Sequence, residues 1–393
     1  MNYKPFSLFV LGALLTLTSC KDDNSDDVAP INPNAISKTK VIANYATIVY
    51  SNYQNAYNDA VTLQNALNTF ADTPTDSDFS AAKTAWKSAR ESYGTTEAFR
   101  FASGPIDDTD GPEGLLNAWP LDENYIDYVE NNTTSGIIND VITYPTIDKA
   151  LLESLNEEGG EANISIGYHA IEFLLWGQDI SSPSEKKAGQ RPYTDFIDGG
   201  TAANQSRRRD YLKATAALLI DHLQLMLDEW KENGAYRTTF LALEENTALK
   251  NILTGISTLS KSELAGERVF VAYDNQDQED EHSCFSDNTH RDVRLNLAGV
   301  ANVFRGSYST VSGESLEDLI TETNATLGAA ITAALANAET KVDATATPFD
   351  FAITDATERP KVLEAVTALR ALGDKFVEGS AALGITVSSE LPE

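Results

Sequence analysis

Apolar residues along this chain recur with helical rather than strand spacing. Val41, Tyr45, Ile48, Ala56, Ala60, Leu63, Leu67 and Phe70 lie three, four or eight positions apart, which places them on one stripe of a long helix. "DTPTDSD" stops that helix, and Asp76 or Ser77 is expected to cap the next, which carries Phe79, Ala82, Trp86, Ala89 and Tyr93 on one face. From Arg100 to about Ile147 the period is lost among Gly, Pro, Asp and Asn. A connection that long in a compact protein is either functional or conceals short elements. A buried helix is predicted from near Ser165 to about Gly177. After the polar break "SSPSEKKAGQRPY", "RRRDYLKATAALLIDHLQLMLDEWKENG" predicts a strongly amphipathic helix. Tyr211, Thr215, Leu218, Leu219, His222, Met226 and Trp230 share its face and Gly234 closes it. Further helices are predicted over roughly 238–258, 261–274, 288–306, 314–341 and 360–383, the last opened by Pro360.

Strand-like alternation is scarce, so the expected fold is all-α. The number of helices exceeds one four-helix bundle, which predicts two antiparallel bundles side by side with a cleft between them. The break at 181–206 is the expected boundary, giving an N-terminal bundle with its long loop over 38–195 and a C-terminal bundle over 196–393.

The first residues stand apart from this pattern. One lysine, an apolar run from Phe6 to Leu17 and small residues before Cys20 predict a secretory signal over 1–19, too short to span a membrane. Leu17-Thr18-Ser19-Cys20 resembles a bacterial lipobox, which implies cleavage before Cys20, lipidation of its thiol and anchoring to a membrane. Residues 20–37 then form a polar tether with Pro30 and Pro33, and Lys21-Asp22-Asp23 resembles the acidic tether of surface-exposed lipoproteins. With Cys20 lipidated, Cys284 is the only free thiol, so an intramolecular disulfide and a four-thiolate metal site are both excluded.

Charge narrows the function classes. A formal charge of −30 argues against nucleic-acid binding, which needs a basic face. It tolerates cations, although much of it serves simply as a solvated acidic shell.

Four stretches carry chemistry. In "SIGYHAIEFLLWGQD", residues 165–179, His169 and Glu172 lie three apart on one helical face within an apolar run. Burying both costs several kcal/mol unless they pair or bind a metal. The pair suits Zn or Fe(II), and it also suits a core histidine bonded to a carboxylate. "YDNQDQEDEHSCFSDNTHRD", residues 273–292, concentrates His282 and His290 among carboxylates that include Glu281, Asp287 and Asp292, with Ser286 nearby. That composition suggests a cation site. In "AWKSARESYGTTEAFRFASGPID", residues 85–107, Arg90, Glu97 and Arg100 share a face with Trp86 and Tyr93, which makes a buried ionic network plausible. "GLLNAWPLDENYIDYV", residues 114–129, adds aromatics and acids within the long loop.

Gly167-x-His169-x-x-Glu172 followed by Phe-Leu-Leu-Trp-Gly resembles the signature of the imelysin family. "LAGERVFVAYDNQDQEDEHSCFSDNTHRD", "NAWPLDENYIDYV" and "EAFRFASGPID" resemble it as well, so the likeness spans about 38–385. The resemblance implies two helical bundles with a site in the cleft between them. It also implies an exported lipoprotein of the Gram-negative outer membrane that contributes to iron uptake, with any transport partner protein unspecified. It carries His169 and Glu172 as the motif pair, and Glu97, Arg100, Asp107, Glu281, His282 and Ser286 as neighbours of the site. The expected metal ligands are His169, Glu172, Glu281 and His282, holding iron or another divalent metal. Glu97, Arg100, Asp107, Arg268 and Ser286 are expected to line the ligand site, the arginines balancing excess negative charge.

The same resemblance raises a metallopeptidase with Glu172 as catalytic residue. The chain lacks the second histidine of H-E-x-x-H, Phe173 stands where H-x-x-E-H needs a histidine, and no G-x-S-x-G occurs. A binding protein needs only ligands and a cleft, so binding is favoured over proteolysis. A structural surface protein without a ligand is the third reading.

Overall fold

A computed structural model describes residues 35–391. The signal segment, Cys20 and nearly all of the tether lie outside the described residues. Among those described, no helix is long and apolar enough to cross a membrane.

Among the described residues the fold is all-α, with a single hairpin of two-residue strands, Ser307–Tyr308 against Val311–Ser312. Helix α1, Lys38–Asp72, starts at Ser37, whose hydroxyl accepts from the Lys40 N–H. All eight residues of its predicted stripe are buried. Helix α2, Asp76–Gly94, is capped by Thr75, one residue before the expected cap. The Thr75 hydroxyl accepts from the Asp78 N–H and donates to the Asp78 carboxylate, which leaves Asp76 free to face the helix dipole from the first turn. A 3₁₀ turn, Thr95–Phe99, follows.

The aperiodic stretch holds short helices α3, Glu113–Leu116, and α4, Glu123–Ile126, before α5, Lys149–Leu155. It is anchored through buried Leu116, Ile126, Ile137 and Ile138. Helix α6, Gly167–Trp176, is buried at all ten positions, and α7, Gln205–Trp230, buries the predicted face. Helices α8, Ala235–Leu241, and α9, Glu245–Thr258, replace one predicted helix, because Glu244 turns its side chain onto the Thr247 N–H and starts a new one. From α9 the chain runs without a break through a π-helical stretch, Leu259–Phe270, into α10, Val271–Asn275, so no separate helix begins at 261. Wide turns of this kind often mark functional positions. Helix α11 spans Thr289–Arg305. Asn324 then divides one predicted helix into α12, Leu316–Thr323, and α13, Ala325–Asp343, by capping the second. Helices α14, Phe349–Thr354, and α15, Arg359–Ala382, complete the chain.

Helices α1, α2 and α7 pack side by side with α6 against α2 and α7, while α9, the π-helical stretch, α11, α13 and α15 pack together. The polar break at 181–206 therefore lies between two helices of one group, α6 and α7, and Ile36 onward forms one compact unit. Helix α11 touches α2 and the 3₁₀ turn. Gly299 allows this, since a Cβ there would stand 2.4 Å from the Thr95 carbonyl oxygen.

Gly167, the first residue of α6, has φ +87°, and a Cβ would lie 2.7 Å from the Leu116 carbonyl oxygen. The glycine of the motif thus lets the loop bearing α3 close onto the start of the histidine helix. Gly167→Ala is expected to destabilise the fold by about 1–3 kcal/mol through strain and the displaced loop. Urea unfolding checks this, and an unchanged midpoint would contradict it.

Candidate functional site

Helix α6 presents His169 and Glu172 to the start of α11 and the loop before it. The His169 Nδ1 lies 2.9 Å from Glu172 Oε2, both side chains fully buried. Ser286 donates its N–H (2.9 Å) and its hydroxyl (2.7 Å) to Glu172 Oε1. Both Glu172 oxygens are therefore engaged, and the glutamate holds His169 in place instead of offering a free ligand oxygen. The other ring nitrogen, His169 Nε2, is buried without a partner.

His282 repeats the arrangement. Its Nδ1 lies 3.0 Å from Asp292 Oδ2, its Nε2 is 3.4 Å from the Asn117 amide nitrogen, and its ring meets that of His169 edge-on at 4.7 Å. Two imidazoles with Nδ1 on a carboxylate and Nε2 turned elsewhere match the outer-shell pattern that orients metal-binding histidines. Burial is the main force holding both rings neutral, with Arg90 acting on His169 and Arg268 on His282: His169 titrates well below the usual range and His282 at about 3. A neutral ring is the ligand form.

Arginines neutralise the carboxylates around the pair. Arg90 Nη2 lies 3.1 Å from Asp292 Oδ1, each side chain about 1% exposed, and Arg90 also donates to Asn117 Oδ1. Burial opposes ionisation of Asp292, but Arg90 and then His282 outweigh it and hold the carboxyl far below its ordinary range. Glu97 sits between Arg268 (2.6 Å) and Asn117 (3.3 Å), and Arg268 and Arg100 overcome its burial to keep it ionised down to about 2. Arg268, from the π-helical stretch, also donates to Asn296 and Glu263.

These groups border a cavity of about 500 Å³ lined by Asn117, Trp119, Arg100, Arg268 and His282 together with seven carboxylates. Trp119 packs edge-on against His169 at 5.0 Å, so His169 lies one layer behind the wall. Arg100 reaches Glu113 (3.1 Å), Asp107 (3.2 Å), Glu263 (3.6 Å) and Glu97 (3.8 Å). Asp107 does not line the cavity; it fixes Arg100 and accepts the N–H of Phe101, whose φ is +57°. With seven carboxylates against two arginines, the cavity favours a cation.

The structure thus brings together His169, Glu172, His282, Ser286, Glu97, Arg268 and Arg100. Glu281 is not brought there. Although adjacent to His282, it does not line the cavity, and the charges acting on it are Asp350, Asp287 and Asp179. Glu281 ends the 3₁₀ turn Gln278–Asp280 and the chain turns again from His282, so adjacency in sequence does not bring its carboxyl to the cavity. His290 turns its Nδ1 onto the Asp287 carbonyl (3.0 Å) and caps the loop. Three central residues are not among the expected ligand and metal residues: Asp292, which the sequence offers only as one of the acids of 273–292, Arg90, which it offers only as part of a buried ionic network, and Asn117. Their available signals are modest, an arginine on an otherwise apolar helical face and an aspartate in the first turn after the histidine loop.

Burial raises several carboxyls, Glu172 to about 8 and Glu113, Glu279 and Asp287 to about 7. The folded protein therefore holds protons that the unfolded chain has already released, and the stability they contribute is lost as pH rises through 7 to 8. His169 and His282 act oppositely, but only below the ordinary histidine range. The metal-free protein is expected to melt at a lower temperature at pH 8.5 than at pH 6. Thermal scans at the two values test this, and a higher midpoint at pH 8.5 would refute it.

Comparison with known proteins agrees with this architecture. The chain is 24% identical over 339 residues to "Iron-regulated protein A" of Synechococcus elongatus, covering 83% of this chain and 81% of that relative. It superposes with a TM-score of 0.64 on a crystal structure from Parabacteroides distasonis, proposed to be an iron-regulated protein A precursor, over 88% of this chain and 97% of that one. At 18% identity, that likeness establishes the fold. The family described as imelysin matches residues 49–376, most of the chain, and this protein belongs to the imelysin family.

Proposed function

We propose that this protein binds iron, or a similar divalent transition metal, through His169 and His282, and that it contributes to iron uptake as a lipoprotein anchored at Cys20 in the outer membrane. The observation that carries the reading is the buried, unpartnered Nε2 of His169, on a ring whose Nδ1 is fixed by Glu172 and whose neutral form is favoured. An orphaned buried nitrogen costs roughly 1–3 kcal/mol, and a metal ion satisfies it. Imidazole suits iron and zinc. Among the described residues, no third ligating side chain closes a shell around the two histidines within 4.8 Å, so water or a small molecule in the cavity completes the coordination. The acidic cavity wall attracts the cation, and the iron-regulated relative supports iron as the metal.

The peptidase reading is weaker. A metallopeptidase needs a general base facing an open coordination position. Glu172 has one oxygen on His169 and the other on Ser286.

Calorimetry of Fe(II), under anaerobic conditions, and of Zn(II) into the metal-free protein tests the proposal. Wild type is expected to bind one ion, His169→Ala to lose it, and Glu172→Gln to weaken it by about 10–100-fold through lost orientation of the His169 ring. Equal affinity in all three proteins would refute the site and leave the structural surface role.

A further inference from the structure

Four buried or half-buried carboxyls stand on the far side of the 281–288 loop. Asp179 follows the end of α6, Asp287 lies in the loop with φ +56°, and Asp350 belongs to the first turn of α14. One oxygen from each of these three lies within 4.8 Å of the others. Glu281 is 1% exposed, and neither of its carboxyl oxygens has a hydrogen-bond partner.

These groups differ from the other buried carboxylates of the fold. Asp127, Glu97 and Asp292 are each paired with arginine. Among the described residues, none of Asp179, Asp287, Asp350 and Glu281 forms an ion pair within 4.0 Å. Lys87 and Lys186 lie in the neighbourhood, but the Lys186 ammonium sits over the Phe351 ring at 3.6 Å. Asp179 and Asp350 each accept a single backbone N–H, from Ser181 and Phe351, on Oδ1. Glu281 is buried six residues before Asp287 in the same loop, and a concentration of acid so poor in cations calls for a counter-ion.

We propose that Asp179, Asp287 and Asp350, backed by Glu281, form a second cation site, distinct from the histidine pair, that takes a hard divalent ion of calcium size and braces the 281–288 loop between α6 and α14. The donors are all oxygen, the set preferred by calcium over iron or zinc. Calcium–oxygen bonds of about 2.3–2.6 Å allow ligand oxygens on opposite sides of one ion to stand about 4.6–5.2 Å apart, which accommodates the observed spacing. The ion would also stiffen the histidine site, because Asp287 directly follows Ser286, the residue that holds Glu172.

Calcium calorimetry and thermal melting of the metal-free full chain test the proposal, with wild type, Asp350→Asn, Glu281→Gln and His169→Ala compared. Wild type is expected to bind one calcium ion below about 5 mM and to melt at a higher temperature with it. Asp350→Asn and Glu281→Gln should weaken calcium at least about tenfold, yet match or exceed wild type in melting temperature without calcium, since each replaces a buried acid among other acids by a neutral amide. His169→Ala should bind calcium as wild type does, so failure of the iron site leaves this result intact. No calcium response in wild type, or an unchanged calcium affinity in both carboxyl variants, would overturn the proposal. A calcium-free melting temperature below wild type with the calcium response retained would also overturn it.

Discussion

Asp292→Ala is expected to destabilise the protein by about 3–5 kcal/mol, because it strands the Arg90 guanidinium in the interior. Arg90 packs over the rings of Trp86, Tyr93 and Tyr168, which offer a cation some compensation but no counter-charge. The same change releases Nδ1 of His282 and the hydroxyl of Ser283, both bonded to Asp292 Oδ2. Metal affinity should therefore fall by about 10–100-fold in whatever fraction stays folded. Asp292→Asn keeps an acceptor and loses the charge, so its effect should be intermediate. Urea midpoints with unchanged slope measure the stability effect, and a loss below about 1 kcal/mol for Asp292→Ala would show that Arg90 is hydrated.

A loss of similar or larger size is expected for Asp127→Ala, far from the histidines. Asp127 Oδ2 accepts from Arg191 (2.5 Å) and Arg208 Nε (2.7 Å), and Oδ1 accepts from Arg208 Nη2 (2.8 Å) and Asn139 (3.2 Å). Two buried guanidinium groups would lose their main partner, leaving Arg191 only Asp195 at 3.7 Å. Removing one partner of a buried pair costs about 3–5 kcal/mol, and here two pairs break together. This node ties the irregular 100–147 stretch to the segment after α6 and to α7. Its loss should therefore unfold the long loop and, with it, the wall that carries Asn117 and Trp119. Hydrogen exchange over 114–129 measures that opening, and unchanged protection would contradict it.

Helices with a continuous apolar stripe were legible because burial on one face imposes the period directly, as α1 and α7 illustrate. Two breaks were not legible: Glu244 and Asn324 each cap a helix within an unbroken run of helix-compatible residues, and the apolar period continues across them. The π-helical stretch was equally hidden, since widening a turn alters backbone geometry more than residue type. At the site, spacing placed His169 and Glu172 on one face but left their roles open. Only three dimensions reveal that Ser286, 114 residues away, occupies the second Glu172 oxygen. Arg90 and Asp292 stand 202 residues apart, so no local pattern joins them. Glu281 misleads for the converse reason, since it adjoins His282 in sequence yet does not line the cavity that His282 lines.

The central claim is that the two histidines hold the metal. Anomalous diffraction at the iron edge, from crystals of the metal-free protein loaded with Fe(II), tests it most directly. The expected result is a peak within bonding distance of Nε2 of both His169 and His282. A peak confined to Asp179, Asp287 and Asp350, or none near the imidazoles in a fully loaded crystal, would contradict it.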